Sequence, residues 1–176
     1  MAYEMIIDVG QEGERIALLK DKKLVELHQE KSESGSFLVG EIYLGKVKKI
    51  MPGLNAAFVD IGHEKDAFLH YHDLGPYIKS WLKITNETLD GKRTSGNLND
   101  FKMEPETVKT GKISQVLKRN QQILVQVAKE PISSKGPRLT TEISIAGRYF
   151  ILVPFYDTVN VSKKVSTLEE RKRLKN

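Results

Sequence analysis

The sequence predicts a mainly β protein, a short meander followed by a small closed barrel. Three observations carry this. Residues 4–28 hold three short apolar runs separated by turn residues. Residues 41–71 read as a bent strand, a Pro-Gly turn and a second hairpin, the way a five-stranded barrel of the OB kind begins. No stretch of the 176 residues approaches the ~18 apolar residues that a spanning helix needs.

Glu4–Val9 is the first strand, and Gly10-Gln11-Glu12-Gly13 is its turn, since glycine accepts positive φ. Arg15–Lys20 and Leu24–His28 are two further strands joined through Asp21-Lys22-Lys23. Three short strands bury little, so this meander is expected to pack on something else. Glu30–Ser36, small and polar, reads as a linker. Glu41–Met51 is a long strand whose alternation slips at Gly45, the expected site of a bulge or sharp bend. Pro52-Gly53 turns the chain, and Leu54–Ile61 and Lys65–Tyr71 form a hairpin across Gly62-His63-Glu64.

Residues 75–110 interrupt the strand pattern. Pro76–Ile84 is a candidate short helix, and Asn86–Glu106 is expected to be a long mobile loop. Ile113–Leu117 reads as a helical turn entering strand Gln122–Lys129. Glu130–Arg138 is another loop, and Leu139–Phe155 supplies at least two more strands. Ser166-Thr167-Leu168-Glu169 has the spacing of a capping box, with Ser166 as N-cap and Glu169 at the third helical position. The helix it opens has only Leu168 and Leu174 to bury.

There are no cysteines, which excludes disulfides, thiolate nucleophiles and Cys-ligated zinc. The N-terminus lacks the apolar core of a signal peptide, so a cytoplasmic protein is expected. Net charge is +5, unevenly spread. Residues 1–37 carry five Lys/Arg against eight Asp/Glu, residues 111–148 seven against two, and residues 149–176 six against three. Positive charge gathered in the C-terminal third suits a polyanion-binding face. An unevenly charged solubilising surface gives the same count.

Strand parity is the most informative signal. In Ala56–Ile61 one face carries Ala57, Val59 and Ile61, and the other Ala56, Phe58 and Asp60. In Asp66–Tyr71 one face carries Ala67, Leu69 and Tyr71, and the other Asp66, Phe68 and His70. Both phenylalanines fall on the polar face, where a monomeric barrel does not need them. With a hairpin loop at 61–65, Phe58 lies across from Phe68, and Asp60 lies unfavourably across from Asp66. Exposed aromatics beside cations are how OB folds stack unpaired bases; cover by a loop or a neighbouring domain is the alternative. Lys135, before Gly136 in a loop with Ser133 and Ser134, is placed to meet phosphate where the backbone lacks bulk. Lys129 and Arg138 flank that loop, whereas Lys46, Lys48 and Lys49 read as a solvated face. Asp8, Asp60, Asp66 and Asp73 share no spacing that would gather a metal, and His63, His70 and His72 lack cysteine partners for zinc. No metal-ligating or catalytic residue is assigned.

Gly45-Lys46-Val47, Ala56-Ala57-Phe58-Val59-Asp60-Ile61-Gly62 and Ala67-Phe68-Leu69 resemble the S-one-type OB domain of bacterial ribonucleases E and G. Residues Lys135–Tyr149 resemble that family's passage into its 5′-end sensor. The resemblance covers nearly all of the chain except residues 75–110. It implies that residues 1–37 are the first part of a split RNase H-like subdomain without catalytic duty. It further implies a five-stranded OB domain at 38–141, with the insertion at 75–110, and the start of a 5′-sensor subdomain at 142–176. The parent family comprises endoribonucleases of RNA processing and decay that cut single-stranded, A/U-rich RNA and favour a 5′-monophosphate end. Their Mg2+ is held by carboxylates of a DNase I-like domain, and the whole enzymes are homo-oligomers. By match, Phe58 and Phe68 would meet bases, Lys135 and Lys129 would contact RNA, and Gly147 and Ile151 would line the terminal-nucleotide pocket.

The chain departs from that family in its longer insertion. It also stops before the arginine–threonine pair that grips the 5′ phosphate and before the metal-binding domain. The expectation is a polypeptide that binds single-stranded RNA and does not cleave it alone. A free-standing OB protein, acting as an RNA chaperone or translation accessory, is the competing reading. A third is that residues 1–37 and 75–110 dock a protein partner.

Overall fold

A computed structural model describes residues 2–10, 13–31, 37–147, 151–157 and 161–175. Contacts divide the chain into residues 1–36 and 37–176. In the first unit, β1 (Tyr3–Gly10), β2 (Gly13–Lys20) and β3 (Lys23–Lys31) form an antiparallel meander. β2 and β3 meet through Asp21 and Lys22 at φ 48° and 65°, the left-handed pair that matches strand twist in a two-residue hairpin. β3 runs through Glu30 and Lys31, the start of the expected linker. Residues 32–36 of that linker, and Gln11 and Glu12 of the first turn, lie outside the described residues. Asp8 faces Arg15 across the ladder and pairs with it at 2.6 Å. Met5, Ile6, Ile7, Val9, Leu24 and Leu27 are each more than half exposed.

The second unit is built on β4 (Ile42–Met51), β5 (Ala56–Asp60), β6 (Ala67–His70), β7 (Gln122–Lys129) and β8 (Arg138–Thr140). These close in the order β4-β5-β6-β8-β7, with β6 and β8 parallel and the other pairs antiparallel. This is a five-stranded barrel of OB type. β4 closes it by serving both edges: its first half pairs with β7 from Ile42↔Gln126 to Lys46↔Gln122, and its second half with β5.

The alternation of β4 does not slip at Gly45. Gly45 and Val47 are both buried in phase, and the register breaks at Lys48, between Val47↔Val59 and Lys49↔Phe58. Gly45 is instead a point of close approach, where a Cβ would lie 2.6 Å from Val59 Cγ1. The interior is the alternate face of each strand: Val47, Ala57, Val59, Ala67, Leu69 and Val125 are all fully buried. Gln126, the polar exception on β7, donates from Nε2 to the Gly40 and Ser144 carbonyls and accepts the Ser144 N–H on Oε1. A buried amide is thus satisfied on both ends.

Helix α1 (Ile78–Leu89) extends five residues beyond the expected Ile84. Asn86, Thr88 and their neighbours resemble loop composition, but Ile78, Leu82 and Thr85 recur at helical spacing and are buried. The segment after α1 is tied down rather than free. Ser80 Oγ accepts the Glu104 N–H at 2.9 Å, Lys83 Nζ reaches the Lys102 carbonyl at 2.8 Å, and the Thr107 N–H reaches the Pro76 carbonyl at 2.8 Å. Helix α2 (Ile113–Val116) leads into β7 as expected.

β9 (Ile145–Ala146) and β10 (Ile151–Leu152) make a small antiparallel pair. Helix α3 (Leu168–Arg173) starts with Thr167 as N-cap and has no side-chain capping bond, so the Ser166–Glu169 box does not form. The Arg171 guanidinium instead holds the carbonyls of Val161, Ser162 and Val165. Glu170 pairs with Arg173, and Leu168 is 77% exposed.

Gly45→Ala is expected to destabilise the barrel by about 1–3 kcal/mol, because the added methyl overlaps Val59 in a filled interior; thermal unfolding measures this. Burial, aided by hydrogen bonds to Glu41 and Glu142, pushes the Tyr43 and Tyr156 hydroxyls up to about 12. Their folded values lie above the unfolded value of ~10, so the stability held by the neutral hydroxyls is whole below pH ~10 and lost as pH rises through about 12. A phenolate absorbance titration should show these groups ionising late, with Tyr43→Phe and Tyr156→Phe each removing one of them.

Candidate nucleic-acid interface

The β5–β6 hairpin sets Phe58 directly opposite Phe68, the register read from the sequence. The ring centroids are 5.9 Å apart at 67°, an edge-to-face pair. Both side chains are half-buried, neither bare nor enclosed. The barrel registers extend this pair into a row with one residue from every strand. Lys49 of β4 faces Phe58, Phe68 faces Arg138 of β8, and Arg138 faces Lys129 of β7. Two rings therefore sit between cations on one outer face.

Loop 130–137 folds back against the hairpin. The Phe68 N–H donates to the Pro137 carbonyl at 2.8 Å, and Lys65 Nζ donates to the Ser133 carbonyl at 2.9 Å. A Cβ on Gly136 would lie 2.3 Å from the Asp66 carbonyl oxygen. Glycine at 136 is thus required by the Lys65–Asp66 backbone just before β6, rather than by the clearance for phosphate expected from sequence. An open groove of about 880 Å³ lies between loop and hairpin. Phe58, Phe68, Lys129 and Lys135 all line it, so the structure brings together the four residues singled out from sequence. Lys65 and Ile132 line it too and were missed, because only the folded loop brings residues 132–136 to the hairpin.

The charges around the groove are sorted by partner. Arg138 makes two bonds to the Asp73 carboxylate, at 2.8 and 2.9 Å, which hold its guanidinium charged. Lys48 Nζ lies 2.6 Å from Asp66 Oδ1 and 3.8 Å from Asp60 Oδ2, so the like-charge pair feared from the register is bridged. The balance of the lining is Lys65, Lys129 and Lys135 against Glu130, which is net positive.

Gly147 is exposed and follows β9, and Ile151 stands opposite Ala146 in the small sheet, 62% exposed. Neither lines the groove. Residues 148–150 between them lie outside the described residues. His70 Nδ1 accepts the His72 N–H, and His63 Nδ1 accepts the Lys65 N–H. Among the described residues no three histidine or carboxylate side chains converge.

Fold and surface thus define an OB-type barrel carrying an aromatic pair in a basic groove. No protein-family model matches the chain. It is 37% identical to ribonuclease G of Haemophilus influenzae over 174 residues, 99% of this chain and 31% of that protein. It is 35% identical to ribonuclease G of Escherichia coli over 175 residues, 99% of this chain and 32% of that protein. Against ribonuclease E of Synechocystis it is 41% identical over 143 residues, 81% of this chain and 17% of that protein. The chain spans about a third of the ribonucleases G it matches, and over these residues it belongs to the ribonuclease E/G family.

Gly136→Ala should push loop 130–137 off the Asp66 carbonyl. Faster amide exchange at Phe68 and faster protease cleavage within the loop are the expected signs.

Proposed function

We propose that this chain is the RNA-binding N-terminal part of a ribonuclease E/G-type endoribonuclease that cleaves single-stranded RNA in RNA processing and decay. One observation carries the reading: in a chain whose relatives are named ribonucleases, Phe58, Phe68, Lys129 and Lys135 converge on one groove of an OB-type barrel. Bases stack on the two rings, each contributing ~1–3 kcal/mol by alanine substitution, and every base offers a π-face for it. Lys129 and Lys135 take the phosphates, which fixes the strand without reading its sequence. Duplex RNA, whose bases are paired inside, has no such face to offer.

In this reading residues 38–141 are the clamp and 142–176 begin the 5′-end sensor, with Gly147 and Ile151 at the terminal nucleotide. Residues 1–37 belong to a split RNase H-like subdomain. In the same reading the whole enzyme is a cytoplasmic homo-oligomer. Separately, no helix among the described residues is long and apolar enough to cross a membrane. Magnesium, when bound, supplies Lewis-acid polarisation and an activated water for phosphodiester hydrolysis. The carboxylates described here do not fit it: no three of them converge among the described residues, and Asp8, Asp60, Asp66 and Asp73 are each already within ion-pair distance of a lysine or arginine. In this reading the metal's ligands lie outside this chain, which binds RNA without cutting it.

Titration of a fluorescent single-stranded RNA should show Phe58→Ala/Phe68→Ala weakening binding by about 1–3 kcal/mol per stacked base. Lys135→Ala should weaken it for all sequences and reduce the log–log salt slope by ~0.7, one phosphate. A folded double-phenylalanine variant that binds like wild type overturns the reading.

A further inference from the structure

Lys48 and Lys49 both stand on the second half of β4, yet they do different things. The register break at Lys48 turns two consecutive lysines outward, where an unbroken strand would send one of them toward the core. Lys49 takes its place in the row beside Phe58. Lys48 turns to the tip of the β5–β6 hairpin, where Asp60 and Asp66 each stand two residues from a ring on the same strand face. Asp66 lines the groove and Lys48 does not. The Asp66 backbone also carries the oxygen on which Gly136 of the lysine-bearing loop rests. The hydrogen bond to Asp66 is the main cause that raises the Lys48 ammonium's affinity for its proton.

A carboxylate two residues from a base-stacking ring is a defect in a site for a polyanion. Two of them, facing each other, would repel the phosphates that the groove's lysines attract. We propose that Lys48 is a positioning residue of this groove: it contacts no RNA, but neutralises Asp60 and Asp66 and so admits the phosphodiester backbone past the aromatic pair. This rests on the RNA-binding reading above and deepens it. It assigns the cations of this face two separate jobs, with Lys129 and Lys135 meeting the strand while Lys48 masks the acids beside it.

A double-mutant cycle separates masking from direct contact. Affinity for a fluorescent single-stranded RNA is measured at low salt for wild type, Lys48→Met, Asp60→Asn/Asp66→Asn, and the triple variant. Unchanged circular dichroism and thermal midpoint serve as the check on folding. If Lys48 acts through the acids, Lys48→Met costs about tenfold in the wild-type background and under twofold once both acids are amides. Lys48→Arg, which keeps the charge, stays near wild type. Equal losses in the two backgrounds make Lys48 a phosphate contact and overturn the proposal, and so does no loss in either. Wild-type protein that fails to bind the RNA at all removes the RNA reading itself, an outcome distinct from the other two. Raising the salt should shrink the Lys48→Met defect, because the repulsion it exposes lies between solvated charges.

Discussion

The pairing of β5 with β6 in a single register is the constraint on which the rest of the barrel and its groove depend. Side chains alternate with a period of two, so a slip by one residue would send Phe58 and Phe68 into the interior and Val59 and Leu69 out to water. The register is pinned at both ends of the hairpin. At one end Asn55 adopts a left-handed conformation and accepts the Tyr71 N–H on its carbonyl. At the other, Gly62 turns at φ 88° and donates its N–H to Asp60 Oδ1. Between these ends, small Ala57 and Ala67 let the strands sit close over the buried Val59 and Leu69. The outer rings are a by-product of satisfying the inner face.

Around that hairpin, residues of one chemical type are separated by what they touch. Arg138 is committed to Asp73, Lys48 to Asp66, and Lys65 to a loop carbonyl, while Lys129 and Lys135 reach the groove. A basic patch counted from composition treats these side chains as equivalent. Exposed ion pairs of this sort add little to stability. Their effect is on the shape and sign of the field that an approaching polyanion meets.

Much of the barrel could be read from sequence because its determinants are local. Alternation marked β5, β6 and β7, and the Phe58–Phe68 pairing followed from a loop length. Features that arise from tertiary contact were not legible in this way. Gly45 reads from sequence as a bulge or bend and Gly136 as clearance for phosphate, but each is a glycine because another stretch of chain passes too close for a side chain: Val59 of β5 at Gly45, and the Lys65–Asp66 backbone at Gly136. The bulge moved to Lys48 because β4 must serve two partners, and no pattern within β4 itself records that. The extension of α1 to Leu89 depends on Thr85 being buried, which its polarity conceals. At α3, Arg171 gathers three carbonyls and the expected cap goes unused. Lys65 entered the groove only once loop 130–137 had folded over it.

The insertion is clasped near its two roots. Ser80 with Glu104 and Pro76 with Thr107 form one clasp. Tyr71, buried in the barrel floor, holds the Val108 carbonyl, and Asn55 holds Gly111. Between the end of α1 and Phe101 the chain forms an excursion held to α1 itself: Arg93 pairs with Glu87, donates to the Asn97 carbonyl and lies over the Phe101 ring. Lengthening a flexible excursion costs only ~0.6 kcal/mol per doubling. A change of length at 94–100 would thus be felt first by Arg93 and its partners on α1, before the strands beneath.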